Sequence, residues 1–584
     1  MKWAQLGLLT LLLNISAAAI AGPAEDFTAL LDEVWEWQLA ENPMFASQLG
    51  DKRYNDRWSD QSVAAIERRQ EETREFLRRV YAIDRSALSE DGQLNYELFR
   101  RQLQDDVDLF KFNGHLLPFY QRGGVQNLDN NTNSLSFRSA KDYEDWLARM
   151  ALIDVVIEQA VDLAEKGRKA GMMSPQILMQ RIPNQIAAQL VEDPEASPFY
   201  KVFATMPDSI SDQDQQRLRA MARETIAETV LPAYRELDEY FSDTYLPASR
   251  ESIGLSELPD GSEWYEHRAR QFTTTPMSPD EIHRLGLNEV RRIRDEMQVI
   301  IDGLDFGGSF QDFLVFLRTD PQFYFDNPED LYQSYLATSK RIDPELVNLF
   351  GKLPRMPYGV KPIPDSIAPD TTTAYYSRPA ADGSRAGTYW VNLYKPEVRP
   401  KYEIEVLSVH EAMPGHHLQI ALQQELGDLP NFRRFMGFTA FVEGWGLYSE
   451  SLGYDLGLYE DPYSQFGQLT YEMWRAVRLV VDTGIHYKGW TRQQAIDFFK
   501  DNAAKTELDI INEIDRYIGW PGQALAYKIG QLKIKTIRER AEIALGDAFD
   551  VRAFHDELLS AGALPLDILE QRMDMWIAQQ SEVN

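Results

Sequence analysis

Residues 62–83, 140–167, 212–242 and 279–303 each space apolar side chains three and four apart among abundant Glu, Arg and Gln. A stripe of that period is buried on one side only in a helix, so much of the chain is committed to helices packed on helices. Ser278-Pro279-Asp280-Glu281 predicts a helix start, with a capping serine, proline at the first helical position and glutamate at the third. Loops are expected at Gly123-Gly124 with the Asn-rich run 127–133, at 243–277 and along the Pro-rich stretch 354–369. One segment has another period. Thr371 to Arg378 and Thr388 to Tyr394 are rich in Thr, Tyr, Trp and Val, and Ala380 to Arg385 joins them, which predicts a β-hairpin. The expected fold class is therefore mainly α, a large helical fold with a small hairpin or sheet. A soft boundary near 265–277 separates an N-terminal helical half, 22–270, from a C-terminal half, 271–584, and the two are expected to close around one cleft.

Directly after the hairpin stands His410-Glu411-Ala412-Met413-Pro414-Gly415-His416-His417, which holds three of the eight histidines in the chain. A His-Glu pair followed by more histidines is what a hydrolytic metal site needs. Neutral imidazoles hold a cation such as zinc, and the adjacent carboxylate takes a proton from metal-bound water. The usual arrangement is H-E-x-x-H, with the histidines one helical turn apart. Here position 414 is proline. On a straight helix His416, at i+6, points roughly 120° away from His410, and His417, at i+7, lies about 10 Å further along. Two nitrogens each about 2.1 Å from one zinc cannot begin that far apart. A local bulge at Pro414 and Gly415 that loops out two residues returns His416 to the place of an i+4 ligand. His410 and His416 are thus the expected ligands and Glu411 the general base. His417 is a neighbour that the spacing does not eliminate as second ligand. The competing reading is a kinked surface helix carrying polar residues.

A third ligand is expected at Glu443, in the apolar segment Phe441-Val442-Glu443-Gly444-Trp445, because a carboxylate in such company needs a partner. Glu450, seven residues on, is a candidate to support or replace it. Arg475, Arg478 and Asp482 follow helical spacing and read either as a cleft-facing stripe or as a buried ion-pair network. His486 and Tyr527 are candidates to hold a developing oxyanion, and Arg516 to anchor a substrate carboxylate.

The formal charge of −31 argues against nucleic acid and anionic membranes as partners. Residues 1–21 read as a signal peptide, with Lys2, the apolar run Leu6 to Leu13 and Ala19-Ile20-Ala21 before Gly22. The apolar run is too short for a spanning helix, so no stable membrane insertion is expected after cleavage. With no cysteine, neither disulfides nor lipid attachment at a thiol is available, and a periplasmic or secreted location is expected.

Together the 410–419 motif, Glu443-Gly444-Trp445, Thr483-Gly484-Ile485-His486 and Pro521-Gly522-Gln523-Ala524 resemble the bacterial domain-of-unknown-function 885 family. The resemblance implies a mostly helical fold, distantly similar to helical zinc peptidases of the carboxypeptidase Taq and thimet oligopeptidase groups, and delivers no substrate. The resulting expectation is an exported, one-zinc metallopeptidase acting on short peptides. The metal would be held by His410, His416 and Glu443, with Glu411, His486, Tyr527 and Arg516 as catalytic residues. Two alternatives compete, a metal-dependent amidase on cell-wall or other small amides and a non-catalytic peptide-binding protein. Oligomeric state is left open.

Overall fold

The computed structural model describes residues 22–365 and 367–583; the expected leader at 1–21 lies outside the described residues. The fold is mainly α with one three-stranded sheet. The periods at 62–83 and 279–303 form helices Val63–Ala82 and Pro279–Gly303 (α1). At Ser278 the expected reciprocal cap forms. Its Oγ accepts the Glu281 N–H (3.3 Å), while the Glu281 carboxylate accepts the Ser278 N–H (2.8 Å).

Elsewhere the boundaries shift for identifiable reasons. The stretch expected as one helix at 140–167 divides into Ala140–Met150 and Ile153–Lys169, and the turn between them keeps both Met150 and Ile153 fully buried. The 212–242 segment runs on to Ala248 through π-helical turns at Ile226–Val230 and Phe241–Tyr245. Pro232 and Pro247 each follow one of those turns, whose wider spacing relieves the clash between a proline ring and the carbonyl four residues back. The expected loops also contain structure. Gly261–Thr273 in the 243–277 stretch is a helix, and the Asn-rich run forms 3-10 turns within Val125–Ser134 that kink at Asn127.

The sheet comprises β1 (Tyr358–Pro362), β2 (Ala374–Ser377) and β3 (Gly387–Val391) in the order β1-β3-β2. β2 and β3 form the expected antiparallel hairpin, Tyr376 opposite Tyr389. β1, parallel to β3, arises within the Pro-rich stretch expected to be loop. Its proline closes the strand at an edge, where a missing N–H costs no ladder bond. β2 is the other edge, and Thr372 to Tyr376 line a cleft.

The remaining walls come from α2 (Ile404–Glu411), α3 (His416–Glu425), α4 (Thr439–Ser451), α5 (Pro462–His486), α6 (Glu507–Gly519) and α7 (Ala526–Leu545). α5 is the central strut. Every residue from Phe466 to His486 is buried, with α1 packed along it and α4 packed against α7. A single cluster of buried apolar side chains includes residues from Phe27 to Ile577, so both halves of the chain share one core. Among the described residues no helix is long and apolar enough to cross a membrane.

Candidate metal centre

The His-Glu motif is not one bulged helix but two helices with a break. α2 ends at Glu411, residues 412–415 leave helical geometry, and α3 begins at His416. The Gly415 N–H reaches back to the Val409 carbonyl (2.9 Å), six residues rather than four, so two residues are looped out. A Cβ at position 415 would stand 1.9 Å from the His410 carbonyl oxygen and 2.4 Å from that of Val409. Only glycine fits. Gly415→Ala is therefore expected to destabilise the fold by about 2–5 kcal/mol, read as a shift of the urea midpoint. A change under about 1 kcal/mol would mean that the break opens freely. Trp445 Nε1 fastens the loop from α4 by donating to the Pro414 carbonyl (2.9 Å).

The break carries His416 beside His410, with ring centroids 4.7 Å apart and planes nearly perpendicular. From α4, Glu443 Oε2 approaches His416 Nε2 at 3.3 Å and His410 Nε2 at 3.7 Å. One ligand atom from each of the three residues lies within 4.8 Å of the others. Donors at zinc distances on a tetrahedron are about 3.3–3.5 Å apart, so this set is close to a coordination shell. Glu443 Oε2 is buried and makes no hydrogen bond, and the same holds for His416 Nδ1. A buried carboxylate oxygen without a donor is costly unless a cation answers it.

Glu450 stands behind His410 and accepts from its Nδ1 (2.8 Å), while Arg475 Nη2 sits 3.3 Å from the same oxygen. This bond leaves Nε2 facing Glu443, the orientation that carboxylate partners impose on metal-binding histidines. Glu450 thus supports the group from behind rather than joining it. Helix α4 passes so close that a Cβ on Gly446 would lie 2.8 Å from the His410 ring.

The electrostatics agree. Burial disfavours a charged His410, yet the carboxylates of Glu443 and Glu450 outweigh it and push the imidazole up to about 9. Burial likewise opposes ionisation of Glu443, but the His416 and His410 imidazoles hold its carboxyl well below the usual range. The group is organised around one positive charge, whether a proton or a metal cation occupies it.

Glu411 follows His410 and lines the same cavity, and its carboxylate makes no hydrogen bond or ion pair with the described residues. His417 turns elsewhere. Its Nδ1 accepts from the Tyr376 hydroxyl (2.9 Å) and its Nε2 donates to the Met356 carbonyl (2.9 Å), which ties α3 to the sheet and leaves no nitrogen for a metal.

One expected placement needs correction. His486 does not face the cleft. Its Nδ1 accepts from the Leu255 N–H (3.0 Å) and its Nε2 donates to the Tyr517 carbonyl (3.0 Å). Burial pushes it down to about 3, so it is a neutral strut joining the α5 terminus to α6. Arg516 does line the cavity, but its guanidinium is committed to Glu513 (2.9 Å) and to Gln523 Oε1 (2.6 Å). A carboxylate anchored by Arg516 would use the N–H groups that these bonds leave over. Gln523 in turn donates to the Tyr527 hydroxyl (3.3 Å), and the Tyr527 ring lies nearly parallel to His410 at 6.4 Å. Burial raises the Tyr527 phenol above its ordinary range, so it keeps a proton to donate into the cavity.

Of the α5 stripe, Arg475 and Arg478 line the cavity, Arg475 paired with Glu450 behind His410 and Arg478 with Glu513 in the cavity wall. Asp482 instead accepts from Tyr265 (2.6 Å) and from the Gly522 N–H (3.1 Å) and so holds the turn that aims α7. The sequence reading passed over Tyr120 and Arg122, which bring the N-terminal half into the same cavity, and Tyr375 and Tyr376 on β2. The available signal for Arg122 was an arginine immediately before Gly123-Gly124, in a turn rather than on a helix face.

The profile of the family described as "Bacterial protein of unknown function (DUF885)" matches residues 43–573. A crystal structure of a "putative lipoprotein" from Colwellia psychrerythraea is similar over 96% of this chain and 100% of that one, with a TM-score of 0.88 and 28% identity. A "putative lipoprotein of unknown function" from Shewanella oneidensis shares the fold at a TM-score of 0.70 and 18% identity, covering 95% of this chain and 100% of that one. No curated protein matches the sequence.

Proposed function

This chain belongs to the bacterial DUF885 family, for which no activity is assigned, and from the geometry of its cleft we propose that it is a zinc-dependent metallopeptidase acting on short or unfolded peptides. The observation that carries the reading is the convergence of His410, His416 and Glu443 on one point, with a buried Glu443 oxygen that makes no hydrogen bond and faces the two imidazole Nε2 atoms. Two imidazoles and one carboxylate form a donor set suited to zinc with a position left for substrate. When bound, the cation supplies Lewis-acid polarisation of the scissile carbonyl and lowers the pKa of water.

The rest of the chemistry belongs to the chain. Glu411 takes a proton from the water whose oxygen adds to the carbonyl carbon, then delivers it to the leaving nitrogen as the C–N bond breaks. Tyr527 donates its hydroxyl to the carbonyl oxygen as that oxygen gains charge. Glu450, steadied by Arg475, fixes the His410 ring. The free edge of β2 suits an extended peptide, whose backbone would pair with the strand. A cavity of ≈ 380 Å³ beside these residues takes a peptide segment and excludes a folded domain. The apolar N-terminal run, together with similarity to a protein described as a lipoprotein, supports export to the periplasm or beyond, although these 584 residues contain no cysteine to carry a lipid.

The test is digestion of an unstructured peptide library, a folded globular protein and muropeptides by zinc-loaded protein. New amino termini are expected from the library alone, lost on chelation and restored by zinc. Release from muropeptides without peptide cleavage would replace this reading by the amidase. No product from any substrate would leave no hydrolase reading standing.

A further inference from the structure

Beside the cavity that holds His410 and Glu411 lies a second chamber of ≈ 960 Å³, bounded by the Val125–Ser134 turn, residues 180–188 and the sheet. Acidic residues outnumber basic ones in this chain by 91 to 60, yet no aspartate or glutamate lines the chamber among the described residues. Five cations do: Arg122, Arg181, Lys361, Arg378 and Arg385.

Only Arg181 has an acidic partner, Asp515. Arg378 donates to the Phe435 carbonyl (2.9 Å) and Arg385 to the Arg378 carbonyl (2.8 Å), contacts that orient a guanidinium without neutralising it. Lys361 lies 5.9 Å from the centre of the Trp390 ring. Arg122 makes no hydrogen bond or ion pair with the described residues, and it lines both the chamber and the catalytic cavity. Unpaired positive charge gathered in a confined space raises the local potential and draws anions. Burial lowers the Arg122, Arg378 and Arg385 guanidinium pKa values, the sign of a charge short of solvent, which Glu513 and Asp382 offset only in part at Arg122 and Arg385.

The remaining walls are amides such as Asn127, Asn130, Gln180 and Gln185, which both donate and accept hydrogen bonds and so suit peptide groups. Thr372, Tyr375 and Tyr376 line both spaces, so β2 leads from the metal residues into the chamber. Resting on the peptidase reading above, we propose that the chamber receives a carboxylate-bearing residue of the substrate, so that the enzyme prefers acidic peptides. Arg122 is the group that meets the carboxylate, as a planar fork matched to two carboxylate oxygens.

The test uses alanine octapeptides in which one glutamate is walked through every position, each paired with its glutamine counterpart. With zinc-loaded wild-type protein, kcat/KM is expected to be at least about tenfold higher for glutamate than for glutamine at the best position, as for a charge-assisted contact. Arg122→Gln and Lys361→Gln should each narrow that ratio at least about threefold, whereas mere damage to the fold would lower both peptides together. A binding arm reads the same pairs by calorimetry on Glu411→Gln protein, which needs no turnover. Tighter binding of the glutamate peptide, weakened by Arg122→Gln, supports the acidic site even if nothing is cleaved, and then only the peptidase reading falls. Cleavage without preference at any position, or equal binding of the two series, overturns the acidic site and leaves the peptidase reading intact.

Discussion

Glu411→Gln is expected to lower kcat/KM on peptides by about 10²–10⁴-fold while zinc content stays near one per chain. Glutamine keeps the shape of the side chain but cannot accept a proton from water or return one to the leaving amine. Glu411 neither joins the convergent ligand set nor bonds to another described residue, so its replacement should leave His410, His416 and Glu443 in place. Kinetics and elemental analysis on the same preparation check both halves of the expectation. Activity within about threefold of wild type would sink Glu411 as the general base and leave the proton transfers to another group.

Glu443→Ala is expected to remove the metal outright. His410 and His416 would remain, but two imidazoles without the carboxylate lose both a ligand and the negative charge that offsets a divalent cation. If the binding energy of a tight zinc site, about 10–16 kcal/mol, is shared among its three protein ligands, losing one weakens affinity by about 10²–10⁴-fold. Elemental analysis after dialysis against a weak chelator should give near one zinc in wild type and near none in the variant. Zinc should also raise the melting temperature of wild-type protein, by linkage, and leave that of Glu443→Ala unchanged. His410→Ala should behave in the same way. One zinc per chain retained in both variants would mean that the metal sits elsewhere, and the proposed chemistry would go with it.

Much of the fold was legible because it is written in local patterns. The Ser278-Pro279-Asp280-Glu281 cap is satisfied within four residues, and the β2–β3 hairpin follows from an alternating segment with a turn at its centre. Where the reading missed, longer-range packing intervened. Gly261–Thr273 has a thin apolar stripe of Tyr265 and Ala269 and no side-chain cap, and it is helical because it packs against α4 and α7. β1 lies among prolines and becomes a strand only because β3 offers it a partner.

For the site, the candidate ligands and the need to loop out residues at Pro414-Gly415 came from the sequence, since helix rise and zinc distances leave few ways to join His410 and His416. The uses of the other polar residues did not. His486 is spent on Leu255 and Tyr517, Arg516 on Glu513 and Gln523, and His417 on Met356 and Tyr376. Arg122, nearly three hundred positions before His410, enters the cavity from the other half of the chain.

The sequence by itself determined helical content, the cap at Ser278, the hairpin and the shortlist of candidate metal ligands, because each depends on spacing within a turn or two of its own segment. Tertiary structure alone decided which of those polar groups stay free. A buried nitrogen or carboxylate takes whatever partner the fold brings within about 3 Å, and those partners come from segments far away in the chain.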